Sequence, residues 1–291
     1  MMFKRVFAGA GIGATAMMTM GVAQPAAATT TSDGTMLYSV DLESGAATEI
    51  GPVGDGLGLV GLAIAPGDTL GQVYGLTDVG ELVTFSADDP GAATATPITG
   101  LDQSDPLLGI DIRPVDGSIV ALSDAGVVYK IDPTEGIATV VGDGINPTIE
   151  SSAFGFDFNP TVDRIRVDVA TGQNLRLNPD MGAVGTNPDT GARTIDGNLA
   201  FAEADVNAGT APGVVGAAYT NSVAGATETQ LYVVDSVTSS LAIQDPPNDG
   251  VLNTVGPLGV SVTEGSSFDI APSGEALLSV PADALAQRSR N

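Results

Sequence analysis

Apolar and polar residues alternate with a period of two in short runs along most of the chain, and the runs are separated by turns rich in Gly, Pro, Asn and Asp. This is the pattern of half-buried β-strands, not of helices. Clear examples are Gln72-Val-Tyr-Gly-Leu-Thr77, Ser118-Ile-Val-Ala-Leu-Ser123 and Arg164-Ile-Arg-Val-Asp-Val169. A second kind of run is apolar nearly throughout, with a small residue at its centre. It reads Leu59-Val-Gly-Leu-Ala-Ile-Ala-Pro66, Leu107-Leu-Gly-Ile-Asp-Ile-Arg-Pro114 and Ala153-Phe-Gly-Phe-Asp-Phe-Asn-Pro160. Val214-Val-Gly-Ala-Ala-Tyr-Thr-Asn221 is a looser copy, and Ser266-Ser-Phe-Asp-Ile-Ala-Pro272 carries Ser267 in place of Gly. The markers Gly61, Gly109, Gly155, Gly216 and Ser267 are spaced by 48, 46, 61 and 51 residues, near the ~40–50 residue period of propeller blades.

Each marker run is followed by a polar turn, a period-two strand, a third strand such as Glu81–Phe85, Val127–Ile131 or Asn174–Asn178, and a Thr- or Val-rich strand that ends at Gly. Four strands per unit make one blade, and the expected fold is an all-β five-bladed propeller. Small residues suit its innermost strands, where neighbouring chains crowd most. The ends of the chain complete the count. Met36–Asp41 and Ala46–Gly51 match the third and fourth strands of a unit, and the chain finishes with a first and a second strand. Pairing these two halves closes the ring and removes two exposed sheet edges. The competing arrangement is an open pair of β-sandwich sheets.

The N-terminus has the form of a processing segment. Lys4 and Arg5 precede a mostly apolar stretch, and Ala26-Ala27-Ala28 supplies small residues for cleavage, as in a secretory signal peptide. The expected organisation is a leader at 1–28, a linker at 29–35, one propeller domain at 36–281 and a polar tail at 282–291. The protein is then exported, as a monomer with no membrane span. The chain carries 10 Lys+Arg against 35 Asp+Glu, a net charge of −25, and removal of the leader takes it to −27. A field of this sign repels nucleic acid. Cysteine and histidine are absent, which rules out thiol chemistry, a Ser-His-Asp triad and a His-based zinc site.

The run Phe154-Gly-Phe-Asp-Phe-Asn-Pro-Thr-Val-Asp-Arg-Ile-Arg-Val167 is followed by Thr171-Gly-Gln-Asn-Leu-Arg-Leu-Asn-Pro179, then by Ala217–Asn221, Gln244–Asn248 and Val255–Gly259. Together these resemble a bacterial secreted family known as domain of unknown function 4394, over most of residues 36–281. The resemblance implies a propeller-like fold and export. It brings no assigned activity and no catalytic residues.

In a chain so poor in cations, Arg164, Arg166 and Arg176 stand out on one hairpin, with Gln173 and Asn174 beside them. They suit either an anion clamp, since guanidinium binds carboxylate in a bidentate way, or ion pairs to Asp157, Asp163 or Asp168 that lock blades together. Asp157, Asn159 and Asp163 offer oxygen ligands near a strand end, where calcium could bind, although the spacing fails the EF-hand pattern. The long spacing between the third and fourth markers, Gly155 and Gly216, points to an insertion within Gly185–Ala211 that carries Asp189, Asp196, Glu203 and Asp205. Gly56-Leu-Gly-Leu-Val-Gly61 matches G-x-G-x-x-G but precedes a strand, so no dinucleotide site is expected. The function that fits is a non-catalytic binding or scaffolding propeller outside the cell, with an extracellular ligand or protein as its partner. The alternatives are a carboxylate-based glycosidase at the central funnel and a calcium-dependent adhesion module.

Overall fold

The computed structural model describes residues 34–67, 71–101, 105–142, 144, 148–184 and 196–286. The expected leader and most of the linker lie outside them. Twenty-one strands form five sheets. Blade 1 begins with β1 (Thr35–Val40) and β2 (Ala47–Pro52). Blade 2 holds β3 (Leu59–Ile64), β4 (Gln72–Thr77), β5 (Glu81–Ser86) and β6 (Asp89–Pro97). Blade 3 holds β7 (Leu107–Ile112), β8 (Ile119–Ser123), β9 (Val128–Ile131) and β10 (Ala138–Val141). Blade 4 holds β11 (Phe154–Asn159), β12 (Arg164–Val169), β13 (Asn174–Asn178) and the short β14 (Ala183–Val184). Blade 5 holds β15 (Ala200–Phe201), β16 (Val214–Tyr219), β17 (Leu231–Asp235), β18 (Ser240–Gln244) and β19 (Val251–Pro257). The last strands, β20 (Ser267–Ile270) and β21 (Ala276–Pro281), complete blade 1.

The ring closes in the expected two-plus-two manner. β1 pairs antiparallel with β21, from Thr35 opposite Pro281 to Val40 opposite Ala276. Three boundaries differ from the sequence reading. Thr35 belongs to β1, not to a linker: it is buried, and its hydroxyl accepts from the Leu59 amide at 2.8 Å. The segment after 281 opens with a short helix, Ala282–Ala286, which buries Ala284 against the core. Blade 5 has five strands, because β15 from the long connection lies parallel to β19 and covers its outer edge, a free edge being a liability.

The marker strands β3, β7, β11, β16 and β20 pack against one another around the axis. Their small residues are required by this approach. A Cβ on Gly109 would stand 2.8 Å from Cβ of Phe156, and one on Gly216 would stand 2.7 Å from Cβ of Phe268. At Gly155 it would collide with both the backbone and the methyl of Ala217. Each marker glycine therefore receives the residue that follows the marker in the next blade.

Apolar side chains fill the core of four of the five seams between blades. Leu37 and Leu277 of blade 1 meet Leu59 and Leu62 of blade 2, and Leu76 and Leu82 of blade 2 meet Ile110 and Ile119 of blade 3. Val120 and Leu122 of blade 3 meet the three phenylalanines of β11, and blade 5 meets blade 1 through Val234, Leu241, Phe268 and Leu278. If the ring behaves as one unit, trimming its closing strand weakens all of it. Leu37→Ala, at a site with no solvent exposure, should cost about 2–5 kcal/mol in a single cooperative urea transition. A separate early transition that leaves the main midpoint unmoved would show that β1 and β2 are an appendage.

Candidate functional site

Two places in the described residues collect buried charge: the axis and the seam between blades 4 and 5. At the axis, an innermost strand has no neighbour on its inner edge, so its amides need other acceptors. The amide three residues beyond each marker faces this problem, and three aspartates satisfy all five. Asp111 accepts from Ile112 at 2.6 Å and Phe158 at 2.8 Å, and Asp157 accepts from Tyr219 at 3.0 Å. Asp269 accepts from Ile270 and Ile64, both at 2.6 Å. Blades 2 and 5 carry Ala63 and Ala218 at the equivalent position. The blades that follow them use their own aspartate.

The three carboxylates approach within 4.8 Å of one another and are almost fully buried. Burial, reinforced by Asp269, pushes Asp111 well above the usual carboxylate range; burial, with Asp111 and Asp269 nearby, does the same for Asp157. Burial raises Asp269 to about 6. Asp157 is the member that gives a hydrogen bond to Asp269. This is not a glycosidase pair, for which two carboxylates flank a sugar about 5–9.5 Å apart: here all three hold backbone amides, and the adjoining space between the markers is only ≈ 10 Å³. Five of their six oxygens already accept from backbone amides, whereas calcium takes roughly six to eight oxygens.

The seam between blades 4 and 5 is built differently from the other four. In β11, β12 and β13 every second residue turns Phe154, Phe156, Phe158, Ile165, Val167, Leu175 and Leu177 toward blade 3. The alternate positions carry Asp157, Asn159, Arg164, Arg166, Asp168, Asn174 and Arg176 toward blade 5. Blade 5 answers with an apolar face that includes Ala217, Leu231 and Val233, extended by Leu199 and Phe201 of the long connection. The same connection supplies Asp196, whose carboxylate takes Nε and Nη2 of Arg176 at 2.7 Å each and Nη1 of Arg166 at 2.7 Å. Arg166 is 1% exposed; it also donates to Asn174, to Asn248 Oδ1 at 2.8 Å and to the Tyr219 hydroxyl at 3.4 Å. Asn174 donates to the carbonyls of Gly197 and Pro247, both at 3.0 Å.

Among the described residues, two oxygens in this seam have no hydrogen-bond donor. Gln244 directs its amide nitrogen to the Pro247 carbonyl at 2.8 Å and to Asp168 at 3.5 Å, while its Oε1 accepts no hydrogen bond; nor does Asp168 Oδ2. A buried polar atom left this way costs about 1–3 kcal/mol. Burial pushes Asp168 up to about 7, against the opposing pull of Arg166. Arg164 is distinct again. It donates only to the carbonyls of Val162 and Asp163. Among the described residues it is the one cation with no carboxylate partner, since Arg113, Lys130, Arg166 and Arg176 are all ion-paired. It lines a cavity of ≈ 140 Å³ with Arg166, Arg176, Asn159, Tyr219 and Asn248. Asn159, Tyr219 and Pro247 also line an adjoining cavity of ≈ 210 Å³ that reaches Thr229, Gln230, Gln244 and Asp245.

Of the residues singled out from sequence, Arg164, Arg166, Arg176, Asn174 and Asn159 therefore share one cleft wall. Asp157 lies on the same sheet face but at the axis. Gln173 holds the 148–150 loop through the Glu150 amide and the Thr148 carbonyl. Asp163 sits in the β11–β12 turn at φ 50° and pairs with Arg113 of blade 3, Nε to Oδ1 at 2.8 Å. Arg113 also reaches Asp180 at 2.8 Å, so it ties blade 3 to two turns of blade 4. Asn159 caps its own turn at Thr161. Asp157, Asn159 and Asp163 thus have separate tasks and do not converge as a calcium site. Sequence reasoning missed Arg113, Asp111, Asp269, Tyr219, Gln244 and Asn248. The two aspartates were open to it, because they recur two residues after a marker.

A family model described as "Domain of unknown function (DUF4394)" matches residues 81–289. The chain belongs to this family. Among curated proteins, none matches the sequence. Solved structures similar to it include an auxiliary nutrient binding protein from Bacteroides ovatus ATCC 8483, at 13% identity and TM-score 0.47, with 87% of this chain and 67% of that one covered. "YCF48 bound to D1 peptide" aligns at 11% identity and TM-score 0.38, with 76% and 67% covered. Apo AztD from Citrobacter koseri aligns at 14% and 0.35, with 77% and 58% covered, so the chain spans less than two thirds of that relative. These likenesses concern the fold.

Two outcomes follow from the buried charges. The axial carboxylates bind protons more tightly in the folded ring than in the unfolded chain. Their contribution to stability is full below about pH 4 and is lost as pH rises through about 6 and beyond. Asp157→Asn keeps a donor for Asp269 and an acceptor for the Tyr219 amide. Urea titrations should show it gaining about 1–3 kcal/mol on the parent protein between pH 5 and pH 8; parallel stability profiles would contradict a shared proton. Asp196→Ala leaves Arg166 and Arg176 without their anion and should cost about 3–5 kcal/mol in the same assay.

Proposed function

We propose that the protein is a non-catalytic binding propeller that acts outside the cell and holds a small anionic ligand in the cleft between blades 4 and 5. Export follows from the leader-like segment at 1–28, and the lack of His and Cys removes the commonest catalytic side chains. The observation that carries the reading is Arg164: a guanidinium with no carboxylate partner, on the wall of a cavity that two other arginines, both paired with Asp196, also line. In a chain of net charge −25 this is a local excess of positive charge, and an anion that enters is met by preplaced donors at little reorganisation cost. The rest of the wall mixes Asn159 and Asn248 with Val162, Ile165 and Pro247 and carries one aromatic ring, Tyr219, which favours a small ligand over a stacked ring system.

The test is calorimetric titration with acetate, propionate, D-glucuronate and inorganic phosphate. At least one should bind the parent protein. Arg164→Ala should weaken that binding by at least tenfold, about 1.4 kcal/mol, and leave the melting temperature within a degree or two, since Arg164 is partly exposed and makes no ion pair. No binding by any of the four, or equal binding by the variant, would overturn the proposal.

A further inference from the structure

The two oxygens without donors, Asp168 Oδ2 and Gln244 Oε1, belong to neighbouring groups. Gln244 Nε2 stands 3.5 Å from Asp168 Oδ1, so the carboxyl of β12 and the carboxamide of β18 lie side by side, and each unmet oxygen shares a carbon with one atom of that contact. Both residues are buried, at 0% and 1% exposure. Turning the Gln244 amide over does not help, because its oxygen would then face the Pro247 carbonyl that its nitrogen now reaches at 2.8 Å. An ionised carboxylate has no donor to offer, whereas a carboxylic acid has one. An acid beside an amide can therefore pair with it twice, amide N–H to acid oxygen and acid O–H to amide oxygen. One proton on Asp168 answers both unmet oxygens. Asp168 lines neither cavity of the cleft, which favours a proton over a water drawn from those spaces.

We propose that Asp168 keeps a proton in the folded ring and donates it to Gln244 Oε1, and that this proton latches the turn at 245–248 onto blade 4. Gln244 opens that turn, which is tied to blade 4 further on by Asn174 at the Pro247 carbonyl and by Arg166 at Asn248. Asp245, Pro247 and Asn248 line the two cavities, so the latch sets the shape of one cleft wall whatever the ligand. The charged and titratable groups around Asp168 are Asp157 on β11, Arg166 on its own strand, Arg176 on β13, Tyr219 on β16 and Asp196 in the long connection, with Asp245 exposed beyond Gln244. Both arginines are already paired with Asp196. Burial prevails over the pull of Arg166 and pushes Asp168 up to about 7, with Asp196 adding to the rise. The group binds its proton more tightly folded than unfolded. Its contribution to stability is therefore full below about pH 4 and is lost as pH rises through about 7.

The experiment follows the Asp168 carboxyl carbon by 13C NMR in the full chain from pH 4 to pH 9, assigned through its own Cβ protons. The carboxyl should stay neutral past pH 6, with a midpoint near 7, where an ordinary aspartate titrates at about 4. Amide exchange supplies the second readout. The rate at Gly250, whose amide reaches the Pro247 carbonyl at 3.3 Å, is divided by the rate at Gly136 in a turn of blade 3. That ratio should rise about fivefold or more between pH 5 and pH 8 as the proton leaves. In Asp168→Asn, which pairs with Gln244 without a titrating proton, it should stay flat. Should the variant not fold, the two measurements on the parent protein decide. A carboxyl that titrates at about 4 would overturn the proposal and point to a water or ion between the two oxygens. A neutral carboxyl with a flat exchange ratio in the parent protein would overturn the latch. Neither result depends on anion binding at Arg164.

Discussion

Five strands that converge on one axis leave five backbone amides with no strand to pair with, and the ring exists only if something accepts from them. Three aspartates do this work. Asp111 and Asp269 each hold their own strand and the next, and Asp157 holds only the next. The division is set by Ala63 and Ala218, which offer nothing to the blades that follow them. It also explains why three acids tolerate one another at this distance. An unpaired buried amide is costly, and protonation lets acids approach where three full charges could not. The same requirement fixes the small residues of the markers, since the strands must come close enough for a two-atom reach from Cβ to bridge adjacent blades.

Closure by the chain's own ends is the second half of that constraint. The β1–β21 pairing places Leu37 in the core between blades 1 and 2 and Tyr38 in the core between blades 5 and 1. The first described strand thus contributes to two seams at once. The long connection solves a similar problem between blades 4 and 5. Blade 4 turns a polar face toward blade 5, and no regular strand of blade 5 carries an anion to match it. Residues 196–201 enter that gap with Asp196 for the arginines and Leu199 and Phe201 for the apolar wall.

The repeat was legible because a blade is a local unit whose period-two alternation and turn glycines recur along the chain. The two-plus-two closure was legible for the same reason, as a count of strands left over at each end. The arginine wall was partly legible: positions 164, 166 and 168 must share a strand face, and a hairpin places 174 and 176 beside them. Their counter-ion was not, because Asp196 stands in an irregular segment with no period to give its direction. Asp163 and Gln173 stand outside the cleft because both fall at turns, where alternation no longer decides which way a side chain points. The axial cluster joins Asp157 to Asp269, 112 positions apart; its members were visible as a recurring letter, but only ring geometry brings them together.

The polar seam is harder to account for as architecture alone. Buried ion pairs are often no better than well-packed apolar residues of similar volume, and the four other seams of this ring are filled mainly by apolar contacts, with the Arg113 ion pairs added between blades 3 and 4. Blade 4 could have used the same solution. Instead it buries Arg166, raises Asp168 to about 7, leaves two oxygens without donors and keeps Arg164 without an anion at the mouth of a cavity. These features flank one cleft, and the buried oxygens without donors cost stability. Local rules are broken in this concentrated way where a protein must meet something other than itself. The cleft between blades 4 and 5 is therefore where the fold departs most from its own apolar rule, and it is the place proposed above for ligand binding.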